Sequence, residues 1–99
     1  MIRIDIKKDQ ITIKGHADYE EFGKDIVCAS VTSIATTTIN AIIRLDSEAI
    51  SFKSNAGLID IVIKKHSDLV DTLLLNMTEL LKELEKDYKK YIKINEEVL

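Results

Sequence analysis

Isoleucine alternates with polar residues at the start of the chain, where Ile2, Ile4 and Ile6 are separated by Arg3 and Asp5. Such alternation is typical of a β-strand with one buried face and one exposed face. The same pattern returns at residues 11–14, after a polar turn at residues 8–10. The two runs therefore predict a β-hairpin.

A second pair of strands is predicted at residues 49–53 and 58–64. The segment between them, residues 54–57, ends in Gly57, which suits the positive φ of a tight turn. Isoleucines at positions 59, 61 and 63 fall on one side of the later strand, so that side is expected to face the core.

A charge-free stretch at residues 26–43 predicts a long buried helix that runs to about Arg44. Asp25 is expected to cap it, because its carboxylate can accept a free backbone N–H of the first turn. One stripe at helical spacing is expected to pack on the sheet: Val27, Val31, Ile34, Thr38, Ile42 and Leu45. The opposite side is small and hydroxylic, which is costly in lipid and favours contact with a second helix or a second subunit: Ala29, Ser33, Thr36, Thr37 and Asn40.

A second helix is expected to begin near Ser67 and Asp68, with acidic residues early in the helix to suit its dipole. Its apolar stripe follows the helical period closely and indicates a core or dimer interface: Val70, Leu73, Leu74, Met77, Leu80, Leu81, Leu84 and Tyr88. With a short last strand at residues 91–94, the order β-β-α-β-β-α-β predicts an α+β two-layer fold. An antiparallel sheet would carry two helices on one face. The length fits one domain over residues 1–99.

The charge balance of the sequence indicates which classes of binding partner are disfavoured. Fourteen basic residues against seventeen acidic ones give a net charge of −3, which disfavours direct nucleic-acid binding, as does the presence of only five aromatic residues. One cysteine requires no oxidising compartment. The start of the chain shows no targeting signal, so a cytoplasmic protein without a membrane partner is expected. No pair among Cys28, His16 and His66 has zinc spacing, so neither a metal nor another cofactor is expected.

Two residues could carry chemistry, Cys28 and His16. A cysteine in the first turn of the predicted helix would lie near free backbone N–H groups that favour the thiolate. The segment at residues 15–24 reads as an exposed loop that could fold back and bring the imidazole to the sulfur. The N–H groups around Cys28 and Ala29 would then be placed to stabilise an oxyanion.

Structural interpretations of the same residues remain open. A lone cysteine in an apolar helix is usually a small core residue, and a histidine after a glycine is usually on a surface loop. Asp25 could cap the helix or orient His16, and His66 is expected at the surface. The loop carboxylates are expected to form a solvated face or a patch for a basic peptide: Asp18, Glu20 and Glu21.

At these residues the chain resembles the bacterial ribosomal-processing cysteine proteases of the Prp family. The resemblance rests on residues 15–17, on Gly23, on residues 25–29 and on Asn40, and the order of elements is similar over the whole chain. It implies a compact α+β homodimer that removes a short N-terminal extension from large-subunit ribosomal protein number twenty-seven.

The resemblance also assigns roles. Cys28 falls on the family's nucleophile and His16 on its base, while Asp25, Gly15 and Gly23 fall on positions that support the site and its loop. Two residues depart from the family pattern. Thr32 stands where a serine is usual, and Phe22 where tyrosine is frequent, and both could alter loop closure.

The residues and the resemblance agree on a cysteine endopeptidase that acts by acyl transfer and on a site that closes when the peptide binds. The alternative is a non-catalytic, ribosome-associated module whose acidic loop binds a basic protein tail.

Overall fold

The computed structural model describes residues 1–15 and 22–97, and of residues 22–25 it describes the backbone. The described elements, in chain order, are β1 (Ile2–Ile6), β2 (Gln10–Lys14), α1 (Phe22–Leu45), β3 (Ile50–Asn55), β4 (Leu58–Ile63), α2 (Asp68–Asp87) and β5 (Ile92–Glu96). The strands form one sheet in the order β3-β4-β2-β1-β5. The predicted α+β two-layer fold is confirmed.

One detail of the predicted sheet is wrong, because β5 pairs in parallel with β1 and makes the sheet mixed. Ile4 lies opposite Ile94 in that parallel pair and opposite Ile13 in the antiparallel hairpin. Since β4 is antiparallel to β2, and β2 to β1, β4 runs in the direction of β1. Helix α2 then returns the chain across the sheet, so that β5 starts again at the same end as β1.

The core lies between one face of the sheet and the two helices. Inward side chains are buried along β1, β2 and β4 while their neighbours in sequence point to the other face, as the alternation predicted. On the edge strands β3 and β5 only the first residue, Ile50 and Ile92, is buried. The sheet contributes a set made almost entirely of isoleucine: Ile2, Ile4, Ile6, Ile11, Ile13, Ile50, Ile59, Ile61, Ile63 and Ile92. Burying side chains of this size contributes about 1.5–3 kcal/mol each before entropy is counted.

Helix α1 begins at Phe22, four residues before the predicted first helical residue, and therefore Asp25 is not its N-cap. Gly23 is tolerated within the first turn, because a glycine in a helix costs only about 1 kcal/mol relative to alanine. The face that packs on the sheet differs slightly from the predicted stripe, since Ile34 is half-buried and Leu45 is exposed. The buried side chains are Val27, Val31, Ala35, Thr38, Ile39 and Ile42.

Within α1, the stretch Ile26–Leu45 has a mean hydropathy of 1.7 and is, by length and composition, long and apolar enough to cross a membrane. A core helix meets the same criteria. Here Val27, Val31 and Ile42 are buried against the isoleucines of the sheet. Apolar side chains of this stretch therefore form part of the protein core.

Helix α2 begins where predicted, and Ser67 caps it. Ser67 has extended backbone angles, and its side-chain oxygen accepts a hydrogen bond from the backbone N–H of Val70 at 3.2 Å. Its buried residues include Val70, Leu74, Met77 and Leu81. Leu80, expected in the apolar stripe, is 40% exposed, because it lies on the outward side of the helix.

His66 joins two parts of the fold that are distant in sequence. Its Nε2 lies 2.7 Å from Oδ1 of Asp9, in the β1–β2 turn, and its Nδ1 lies 2.7 Å from Oδ1 of Asp71, in α2. Two carboxylate acceptors require both ring nitrogens to donate, which only the imidazolium can do. The hydrogen bond to Asp9, then that to Asp71, raises the pKa of His66 above its ordinary 6.5.

We expect this contact to make stability depend on pH. Because the folded state raises the pKa of His66, the stabilisation is fully present below pH 6.5 and is lost as the pH rises through the folded pKa. The side chain is 38% exposed, so the effect is expected to be about 0.5 kcal/mol. Urea unfolding of wild type and His66→Gln should give a larger difference in unfolding free energy at acidic than at mildly alkaline pH.

Lys82→Gln supplies a matched control. It removes an ion pair of 2.8 Å between Nζ of Lys82 and Oε1 of Glu96, and the pKa of Lys82 is raised from an already high 10.5 by its hydrogen bond to Glu96. Its effect on stability should therefore stay constant over the same pH range. A constant difference for His66→Gln as well would contradict the role assigned to the imidazolium.

Candidate active site

A small cleft of about 60 Å³ brings Cys28 together with residues from three other parts of the chain. Cys28 and Thr32 come from α1, Gly15 follows β2, and Gly57 belongs to the β3–β4 turn. The remaining lining residues are apolar: Ile2, Ile13, Val31, Leu58 and Ile59. A partly buried sulfur in a cleft of this kind can reach a ligand, which a thiol enclosed by core residues cannot.

The packing of α1 explains why Cys28 lies at the cleft. Val27 and Val31 are 0% and 2% exposed and fix which side of the helix faces the sheet. Each residue turns about 100° around a helix axis, so Cys28 follows Val27 at the margin of the buried face. There it is intermediate in exposure and lies beside the end of the sheet where β1 begins and β2 ends.

Thr32 lies one turn further along α1, on the same side as Cys28. Its side chain is exposed and lines the cleft. A hydroxyl residue therefore lines the same cleft as Cys28 at the position where the resemblance expected serine, with an added methyl group.

Gly15 closes the cleft at the end of β2. Its backbone N–H donates to the carbonyl oxygen of Gly57 at 3.0 Å, which ties β2 to the β3–β4 turn. Its φ is +126°, and a Cβ at this position would overlap the carbonyl oxygen of Met1. Glycine is thus required here for both its conformation and its lack of a side chain.

The earlier start of α1 changes how the thiol can be activated. With Phe22 as the first helical residue, Cys28 lies in the second turn, whereas the sequence placed it in the first. The dipole effect is confined largely to the first turn, and N–H groups beyond that turn bond to carbonyls four residues earlier. The predicted oxyanion donors around Cys28 and Ala29 are therefore engaged in the helix, and an external base becomes the main means of activation.

The other predicted site residues are placed as follows. Gly23 and Asp25 lie in the first helical residues of α1. His16 and the loop residues Asp18, Glu20 and Glu21 lie outside the described part of the chain. His16 directly follows Gly15 in the sequence, and Gly15 lines the cleft.

The second histidine, His66, is at the opposite end of the sheet. It shares a cleft with Ile6, whereas Cys28 shares one with Ile2, and these two positions on β1 are about 13 Å apart along the strand. Both nitrogens of His66 are also bonded to carboxylates. The surface location predicted for His66 is confirmed, and the residue cannot serve Cys28.

Gly57 and Leu58 are lining residues that the sequence did not indicate. Gly57 was predicted only as a turn residue, and its φ of +79° confirms that role. Its place beside Cys28 depends on the pairing of β2 with β4, in which Lys14 lies opposite Leu58. This register cannot be predicted from the local sequence. The available signal was a turn glycine directly before a predicted strand.

Comparisons with known proteins identify the family to which the chain belongs. A family model described as "Cysteine protease Prp" matches residues 1–93. The chain is 34% identical to the ribosomal processing cysteine protease Prp of Staphylococcus aureus (strain Mu50), over 96% of this chain and 98% of that protein. It is 32% identical to the protein of the same name from Mycoplasma genitalium, over 98% and 97%.

The fold is also shared with a solved structure. A crystal structure of an essential ribosomal processing protease Prp from S. aureus, in complex with a covalently linked product peptide, superposes with a TM-score of 0.84. The sequence identity is 29%, and the superposition covers 98% of this chain and all of that one.

The geometry of Gly15 leads to a testable expectation. Gly15→Ala should destabilise the protein by about 1–3 kcal/mol, because alanine is strained at this φ and meets the Met1 carbonyl. Gly57→Asn is the matched control, since asparagine tolerates a φ near +79° far better. Urea unfolding of both variants provides the measurement, and an equal or smaller loss for Gly15→Ala would contradict the requirement for glycine.

Proposed function

We propose that Cys28 is the nucleophile of this protein, since the chain belongs to the cysteine protease Prp family and contains one cysteine. The observation that carries the proposal is the position of this sulfur in a cleft whose wall includes Gly15. A cysteine protease requires a thiolate that can reach a peptide carbonyl, and the half-buried sulfur of Cys28 meets that requirement of access.

We propose that His16 is the general base. The chain has two histidines, and His66 is held by Asp9 and Asp71 away from the cleft. His16 follows Gly15 in the sequence, and Gly15 lines the cleft that contains Cys28, which supports this assignment. Because Cys28 lies beyond the first turn of α1, the imidazole supplies most of the activation that the helix does not.

The proposed reaction is an acyl transfer in two stages. The thiol proton passes to the His16 imidazole, and the Cys28 thiolate attacks the peptide carbonyl carbon. The imidazolium then protonates the departing amine, which leaves an acyl group on sulfur as a thioester. Water, deprotonated by the same imidazole, attacks the thioester and releases the carboxylate product and the free thiol. Thr32 borders the reacting sulfur, and Asp25 and Gly23 are proposed to support the loop that carries His16.

The proposed substrate is the N-terminal extension of large-subunit ribosomal protein number twenty-seven. Support comes from the relatives, which are named ribosomal processing proteases, and from the S. aureus structure, in which a product peptide is covalently linked to the enzyme. A cleft of about 60 Å³ with mostly apolar walls suits one side chain of an extended peptide rather than a large ligand. Because the chain belongs to a cysteine protease family, the enzyme hypothesis is preferred to the alternative of a non-catalytic module.

We further propose a homodimer that acts in the cytoplasm, where ribosomes assemble. The outward face of α1 supports the dimer, because it is exposed although small enough for close packing. Ile26 on this face is 45% exposed. The other members of the face are Ala29, Ser33, Thr36, Thr37 and Asn40.

The catalytic assignment is tested by three single variants. Cys28→Ala and His16→Ala should each reduce cleavage of a peptide spanning the processing site by about a thousandfold or more, as expected for the loss of an activated nucleophile or its base. His66→Gln is the matched control and should retain cleavage. The measurement is product formation by mass spectrometry, with circular dichroism to establish folding. Cleavage retained by folded Cys28→Ala would remove this residue from the mechanism.

The dimer is tested by placing a large charge on the proposed interface. Ser33→Arg should convert a dimer to a monomer, because a guanidinium buried at a close helix contact has no described partner there. Asn76→Arg adds the same charge to an exposed position of α2 and should leave the dimer intact. Light scattering coupled to gel filtration measures the mass of each. Dissociation by Asn76→Arg alone would place the interface on α2 instead.

A further inference from the structure

Three basic side chains form a row across the uncovered face of the sheet. Arg3 lies opposite Lys14 in the β1–β2 pair and opposite Lys93 in the β1–β5 pair. All three are exposed, and each alternates with isoleucines that point to the covered face. Strands lie about 4.8 Å apart, so the row spans about 10 Å at the backbone.

The row continues around the β5 edge to the end of α2. Lys93 lines a cleft of about 290 Å³ together with Lys86 and Lys89. Lys86 and Lys89 also line a neighbouring cleft of about 300 Å³ with Lys90. We call these six exposed residues the basic band: Arg3, Lys14, Lys86, Lys89, Lys90 and Lys93.

Carboxylates do not neutralise the basic band. Among residues 1–15 and 22–97, none of the six cations has an ion-pair partner within 4.0 Å. Glu85 and Asp87 border the band. Oε2 of Glu85 accepts the backbone N–H of Ile94 at 2.8 Å, and Asp87 forms no ion pair with the described cations of the band. Like charges placed opposite each other across strands are destabilising, so the row formed by Arg3, Lys14 and Lys93 costs stability unless an anion lies over it.

The net charge of −3 does not show that basic residues are concentrated in the band. Without the six residues of the band, the sequence has eight basic residues against seventeen acidic ones. Exposed charges act over about one Debye length, near 8–10 Å. The attraction of a polyanion to the cations of the band is therefore stronger than its repulsion by the acidic remainder of the molecule.

We propose that the basic band binds the phosphate backbone of RNA. An extended series of unpaired cations matches a repeating anion better than it matches a single carboxylate or a small ligand. The choice of RNA among polyanions rests on the proposed function, which places the enzyme at assembling ribosomes. Arg3 and Lys14 directly follow Ile2 and Ile13, which line the Cys28 cleft from the covered face, so this part of the band and the cleft lie on opposite faces of the same end of the sheet.

The test compares two triple variants with equal net charge. Arg3→Gln/Lys89→Gln/Lys93→Gln removes part of the band, whereas Lys7→Gln/Lys8→Gln/Lys65→Gln removes three exposed lysines outside it. Binding of a fluorescent single-stranded RNA of about 20 nucleotides is measured by anisotropy from about 50 to about 200 mM NaCl. The band variant should bind about tenfold or more weakly with a shallower salt dependence, and the control should stay within about twofold of wild type.

Equal losses in the two variants, or no RNA binding by wild type, would overturn the proposal. Polyglutamate and anionic phosphatidylserine vesicles should displace the fluorescent RNA less effectively than unlabelled RNA does. Equal displacement by either competitor would overturn the assignment to RNA. Peptide cleavage measured in the absence of RNA tests the proposed protease function independently of RNA binding. The band variant should cleave the processing-site peptide at the wild-type rate. If the wild-type protein binds RNA but does not cleave that peptide, the protease mechanism is contradicted and the RNA-binding proposal is not.

Discussion

The burial of isoleucine on one face of the sheet is the constraint on which the other features depend. Ile4 and Ile61 are fully buried, and they set the side of the sheet that both helices must cover. Once α1 turns Val27 and Val31 toward these residues, Cys28 has to lie at the margin of the helix, beside the end of β2. The exposed row formed by Arg3, Lys14 and Lys93 follows from the same alternation, since each of these residues adjoins an inward isoleucine.

The sequence was informative wherever a local period determines the structure. Alternation located the strands, Ser67 marked the start of α2, and Gly57 marked a turn. The start of α1 was misplaced because Gly23 reads as a loop residue, while its cost within a helix is small enough for packing to offset. The direction of β5 was also missed, because it depends on where α2 delivers the chain rather than on any property of residues 92–96.

Non-local contacts account for the rest of what the sequence did not show. Gly57 reaches the cleft through the register of β2 and β4, and His66 meets Asp9 through a hydrogen bond across 57 positions in the chain. Cys28 and Gly15, in contrast, could be identified early, because cysteine is the only residue of its kind here and glycine precedes the candidate histidine. The chemistry of Cys28 and His16 is thus evident from the sequence, whereas the exclusion of His66 depends on the fold.

The parallel pairing of β5 with β1 has a consequence for how the chain matures. The backbone N–H of Ile2 donates to the carbonyl oxygen of Tyr91 at 2.7 Å, and Glu97 donates in the same way to Ile6. Such contacts between distant parts of a chain form late in folding, since the intervening loop must be closed first. During synthesis, β1 keeps an open edge until residues 92–96 have emerged, and β1 supplies Ile2 to the wall of the Cys28 cleft. An unfinished chain therefore keeps β1, and with it the Ile2 side of the Cys28 cleft, without its parallel partner until translation has passed the last strand.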